Sequence, residues 1–134
     1  MADFKFLNVN TKGIYTSVSE SFKSIFDIGI DAGLSNDEIF KFQAATGVNK
    51  IHSSENITTS DYCIKAAQEL LTDLNWSASS RDGVIFLTQT PDYILPKTST
   101  IIQQKLNLRD DIFVLDINDG CSGFIYGLIT AFQF

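Results

Sequence analysis

The spacing of apolar residues changes along the chain, and each change marks an element. Phe4 to Val9 alternates in the two-residue period of a short strand and runs into a turn at Lys12-Gly13. Ser19 to Ile30 and Ser35 to Ala45 carry Phe22, Ile25 and Phe26, then Ile39, Phe40 and Phe42, at spacings that predict two helices split by Ala32-Gly33-Leu34. Ser35 and Glu38 form a capping-box signature, and Thr46-Gly47 supplies the stop. A polar passage from Asn49 to Thr59 follows. Thr59 or Ser60 is then placed to cap a helix through Leu74, with Ile64, Ala67, Leu71 and Leu74 along one face.

The second half reads differently. Gly83 to Thr88 is a short continuous apolar run, as expected of a strand covered on both faces in a parallel sheet, and Ile112 to Ile117 reads as a second covered strand. Between them Pro91 and Pro96 bracket a loop, and Lys97 to Leu106 returns to helical spacing. Gly120 to Phe134 is charge-free and apolar all round, which predicts a buried helix, and its 15 residues are too few to span a membrane. From residue 60 the order is helix, strand, helix, strand, helix. That alternation implies right-handed crossovers and an α/β architecture in which function gathers at the carboxyl ends of the strands. Those ends are Thr88 to Tyr93 and Asn118 to Cys121.

Composition narrows the class. At 134 residues, 44% hydrophobic and 19% charged, the chain is expected to form one globular domain over 1–134. A net charge of −6 with scattered basic residues excludes a nucleic-acid footprint. The first residues, Met1 to Lys5, show no secretory pattern, so a cytoplasmic location is expected. Cys63 and Cys121 have no metal-site spacing and are expected to be free thiols.

Cys121 carries the candidate chemistry. A thiol where a buried strand gives way to a helix sits in the positive end of the helix dipole, which favours the thiolate. Glycines on either side let the backbone turn and let a substrate approach. The competing reading is a small buried hydrophobe.

Thr46-Gly47-Val48, Thr59 to Ala67, Thr88-Gln89-Thr90-Pro91-Asp92-Tyr93 with Pro96, Ile102-Gln103 and Asp116 to Leu128 together resemble the amino-terminal part of β-ketoacyl-acyl carrier protein synthase III. The resemblance runs over about residues 5 to 134, and Gly120-Cys121-Ser122-Gly123-Phe124 is its most specific element. It implies a thiolase-like fold, with this chain forming an incomplete first half of an αβαβα layered sandwich.

It further implies that Cys121 takes an acyl group from coenzyme A as a thioester. Malonyl on acyl carrier protein then condenses with it by decarboxylation. Gly120 and Ser122 flank the bound acyl group, and the Cys121 N–H is one donor to the oxyanion. Leu95, in the Pro91 to Pro96 loop, is implied to line a partner's acyl pocket in a homodimer. No cofactor is bound permanently; acyl-coenzyme A and acyl carrier protein are the implied partners.

Two departures qualify the likeness. The family's histidine and asparagine come from a carboxy-terminal half not represented here, and His52, the only histidine, suits a surface or structural role. Basic residues that hold the coenzyme A nucleotide around the Thr-Gly pair are replaced by Ala45 and Asn49, with Lys50 a partial substitute. An uncovered last helix would leave Phe124, Ile125, Leu128, Ile129 and Phe132 wet, at about 1.5–3 kcal/mol for each large side chain. The chain alone is therefore expected to be unstable, to associate, or to pair with a complementing carboxy-terminal half. The alternative to an enzyme portion is a catalytically incomplete remnant or interaction module of the same fold.

Overall fold

The computed structural model describes residues 3–134. They form two compact units, one spanning Val18–Ile57 and the other combining the segment up to Ser17 with Thr58–Phe134.

In the Val18–Ile57 unit, β1 (Phe22–Ser24) pairs antiparallel with β2 (Lys50–His52) and leads directly into α1 (Ile25–Asp31). The expected helix over 19–30 therefore starts late. Ser24 takes an extended backbone and its hydroxyl accepts from the Phe26 N–H at 3.0 Å, so it caps α1 and ends β1 together. The β2 strand lies within what read as a polar passage. All three of its residues are exposed, so no burial alternation marks it.

Helix α2 (Asn36–Thr46) follows the expected reading closely. Ser35 and Glu38 form the reciprocal capping box, and Gly47 closes the helix in the left-handed region at φ 71°. Ile39, 1% exposed, anchors this unit against Gly29, where an added Cβ would lie 2.5 Å from the Ile39 Cγ1.

The larger unit carries α3 (Thr59–Asp73), β3 (Gly83–Leu87), α4 (Thr98–Lys105), β4 (Phe113–Ile117) and α5 (Gly123–Ala131). Residues 4–9 form no strand. Helix α3 is capped by Thr58, one residue ahead of Thr59 and two ahead of Ser60, in a second capping box with Asp61. The two strands pair in parallel, Gly83 opposite Phe113 through Leu87 opposite Ile117. Thr88 N–H adds one more rung to the Ile117 carbonyl at 3.1 Å.

Phe86, Ile64, Ile102, Leu106, Leu108 and Ile112 form the core that joins α3, α4 and the strand pair. The start of α4 has no cap from its own sequence, since Lys97 makes no side-chain bond there. Asp116, in β4, supplies it: its carboxylate accepts from the Thr98 N–H at 2.8 Å and the Ser99 N–H at 2.9 Å. Among the described residues no helix is long and apolar enough to cross a membrane.

Candidate active site

Parallel pairing in register brings the carboxyl ends of β3 and β4 side by side, so the segments 88–93 and 118–122 leave the sheet at one edge. Beyond β4, Asp119 accepts from the Gly120 N–H at 2.7 Å. Gly123 N–H then donates to the Gly120 carbonyl at 2.9 Å, closing a four-residue turn. Ser122, at φ −83° and ψ −10°, has the geometry of the third residue of a type I turn, and Cys121 is the second.

Helix α5 starts only at Gly123, so Cys121 stands just ahead of the helix cap rather than inside the first turn. Cys121 is exposed. Among the described residues the Cys121 N–H has no hydrogen-bond acceptor, while the Ser122 carbonyl is used by Ile125 and Tyr126.

The glycines of this turn serve by their size. Neither Gly120 nor Gly123 has a positive φ. A Cβ at Gly123 would lie 2.6 Å from the Leu87 Cδ2, so Gly123 lets α5 pack onto β3. A Cβ at Gly120 would lie 2.8 Å from the Gln89 Nε2, 3.3 Å from its Cδ and 3.6 Å from its Oε1. The Gln89 amide is thus laid against Gly120 with its nitrogen end nearest, a proximity the sequence pattern did not single out. The cross-strand register is the signal for it: Gln89 is two residues past Leu87 and Gly120 three past Ile117.

The neighbouring hydroxyls hold the loop after β3. Thr90 N–H donates to the Thr88 hydroxyl at 3.1 Å, and the Thr90 hydroxyl lies 3.2 Å from that of Thr59 at the start of α3. Asp92 takes the Thr58 hydroxyl at 2.7 Å and the Ser60 hydroxyl. Cys63 is an exposed residue, yet partial desolvation of its thiol first, and Asp92 second, push that thiol above its ordinary value.

Further along, Leu95 is 83% exposed and Ile94 88% exposed, so neither packs under its own loop. The structure brings Gly120, Cys121 and Ser122 together at one turn and leaves Leu95 on the projecting loop.

His52 and Lys50 lie in the Val18–Ile57 unit. His52 Nδ1 donates to the Ser19 carbonyl at 2.6 Å, and the Lys50 ammonium sits 4.4 Å from the centre of the Phe22 ring. Among the described residues no group of His, Cys, Asp and Glu is arranged to hold a metal ion.

An apolar cleft of about 850 Å³ runs along α5 and β3, lined by Ile85, Leu87, Phe124, Leu128, Ala131 and Phe134 among others.

No protein-family model matches the chain. It is 33% identical over 130 residues to a Campylobacter jejuni protein provisionally named 3-oxoacyl-(acyl-carrier-protein) synthase 3, an alignment covering 95% of this chain and 36% of that one. It is 39% identical over 89 residues to a beta-ketoacyl-(acyl-carrier-protein) synthase III of Latilactobacillus sakei, covering 66% of this chain and 27% of the relative.

Among solved structures, a 3-oxoacyl-(acyl-carrier protein) synthase from Burkholderia xenovorans superposes with a TM-score of 0.81 at 31% identity, covering 90% of this chain and 35% of that one. The chain thus resembles β-ketoacyl-acyl carrier protein synthase III over nearly all its length while spanning about a third of such a protein, and it carries a fragment of the thiolase-like α/β fold.

Proposed function

We propose that this chain, similar throughout to part of a 3-oxoacyl-acyl carrier protein synthase III, supplies the nucleophile-bearing portion of an acyl-transferring condensing enzyme of fatty acid or related biosynthesis. The observation that carries the reading is the Gly120–Gly123 turn, which presents the Cys121 thiol at the surface beside an uncommitted backbone N–H.

In the proposed reaction the Cys121 thiolate attacks the carbonyl carbon of an acyl-coenzyme A thioester. Charge moves onto the oxygen, which the Cys121 N–H stabilises. The tetrahedral adduct collapses by expelling the coenzyme A thiolate, which takes up the proton that left Cys121. Malonyl on acyl carrier protein then loses carbon dioxide, and the resulting carbanion attacks the Cys121 thioester. That step releases the thiolate and leaves a 3-oxoacyl group on the carrier. It draws on a histidine and an asparagine outside this chain, either from a complementing carboxy-terminal half or from the rest of a longer polypeptide.

Leu95 has the exposure needed to enter the acyl pocket of a partner in a homodimer. The Lys50 ammonium is occupied over Phe22, so a nucleotide contact from it would have to displace that ring.

Intact-mass measurement after incubation with acetyl-coenzyme A, and separately with acetyl-acyl carrier protein, tests the proposal. The expected result is one acetyl adduct that disappears in Cys121→Ala. A chain that takes no adduct from either donor is instead the non-catalytic module of the same fold.

A further inference from the structure

We propose that the side-chain amide of Gln89 is a second hydrogen-bond donor to the acyl oxygen during thioester exchange at Cys121, acting with the Cys121 N–H. The inference rests on the reading of Cys121 as acyl acceptor and adds a residue to it. Thr88 and Thr90, on either side of Gln89, commit their hydroxyls to one another and to Thr59. The Thr88 N–H is fixed in the sheet ladder. The backbone that carries Gln89 is thereby held from both sides.

Its amide alone among the three side chains has no hydrogen-bond partner among the described residues, and the residue is exposed. It lies beside Gly120, the residue before the nucleophile, with Nε2 nearest to where a Cβ of Gly120 would stand. A donor there, beside a turn whose N–H is also free, stands next to the residue at which an oxyanion would develop. Gly120 has an ordinary backbone conformation, so its lack of a Cβ is explained by the room the amide needs.

In the step itself the Cys121 sulfur–carbon bond forms and the carbonyl π pair moves to oxygen, where the two N–H groups donate to it. The pair returns as the bond to the departing thiolate breaks. Gln89 neither gains nor loses a proton.

The test compares two reactions of the same thiol in the full chain. Acylation by acetyl-coenzyme A builds charge on a carbonyl oxygen; alkylation by iodoacetamide displaces iodide at a saturated carbon and builds none. Gln89→Ala and Gln89→Glu should slow the appearance of the acetyl adduct about a hundredfold, in the range seen when one such donor is removed. Alkylation of Cys121 should stay within about twofold, and Gln89→Asn should recover part of the loss.

Acylation of Gln89→Ala at the unsubstituted rate, or a parallel fall in both reactions, overturns the role of Gln89 while leaving Cys121 as nucleophile. An unsubstituted chain that alkylates but takes no acetyl group overturns the Cys121 reading and this one with it.

Discussion

At the scale of single residues the site depends on two missing methyl groups. Gly120→Ala would put a Cβ against the end of a flexible glutamine rather than against backbone. The expected result is little change in stability, within about 0.5 kcal/mol, with acylation of Cys121 slowed because the amide is displaced. Urea unfolding alongside adduct kinetics checks both halves.

Gly29→Ala is the contrasting case. Its Cβ would meet the branch of Ile39, which is fully buried, so overpacking should cost about 1–3 kcal/mol, read from the same unfolding curve. The Cys63 thiol should also be marked by its pH dependence. Burial and Asp92 raise the Cys63 pKa, so its thiolate is scarce at neutral pH. Its alkylation should lag that of an ordinary thiol and keep rising at pH values where the latter is already ionised, as peptide mass mapping would show.

At the scale of elements, local signals were legible and distant ones were not. Ser35, Glu38 and Gly47 act within a few residues of themselves, and the α2 boundaries follow from them. Gly83–Leu87 and Phe113–Ile117 were readable because a mostly apolar run, broken in the second only by Asp116, has few other places to go.

The Phe22, Ile25, Phe26 spacing misled because it suits a helix face, while the Ser24 side chain caps the start of the helix two residues after Phe22 and leaves Phe22 in β1. β2 was hidden because its residues bury nothing, and the pairing with β1 depends on a partner 26–30 residues away. The position of Gln89 over Gly120 needed the same kind of information, the register of two strands.

Asp116 shows the cost of a distant cap most directly. Removing its two charge-assisted bonds in Asp116→Ala should lower stability by about 3 kcal/mol, with Asp116→Asn losing roughly half as much, measured by urea unfolding.

At the scale of the molecule, the larger unit buries a real core yet leaves apolar surface on its last helix. Phe124 is 65% exposed and Phe134 82%, beside the cleft along α5. Such a surface should bind a hydrophobic dye and promote association at concentration. Phe124→Asp with Ile125→Asp should reduce dye fluorescence and light scattering, yet shift the unfolding midpoint little, because those side chains are already wet.

The apolar character of α5 was plain in the sequence; its exposure followed only from the resemblance, since hydropathy reports what a helix prefers rather than what surrounds it.

The cap on α4 also has a consequence in time. On the ribosome α4 is made before Asp116, so when the helix first emerges its leading N–H groups face only water, and its short length gives it little stability alone. The partners for its first two N–H groups arrive only with β4. The segment that bears Cys121 follows directly after that strand, so its turn leaves the very strand whose carboxylate holds α4.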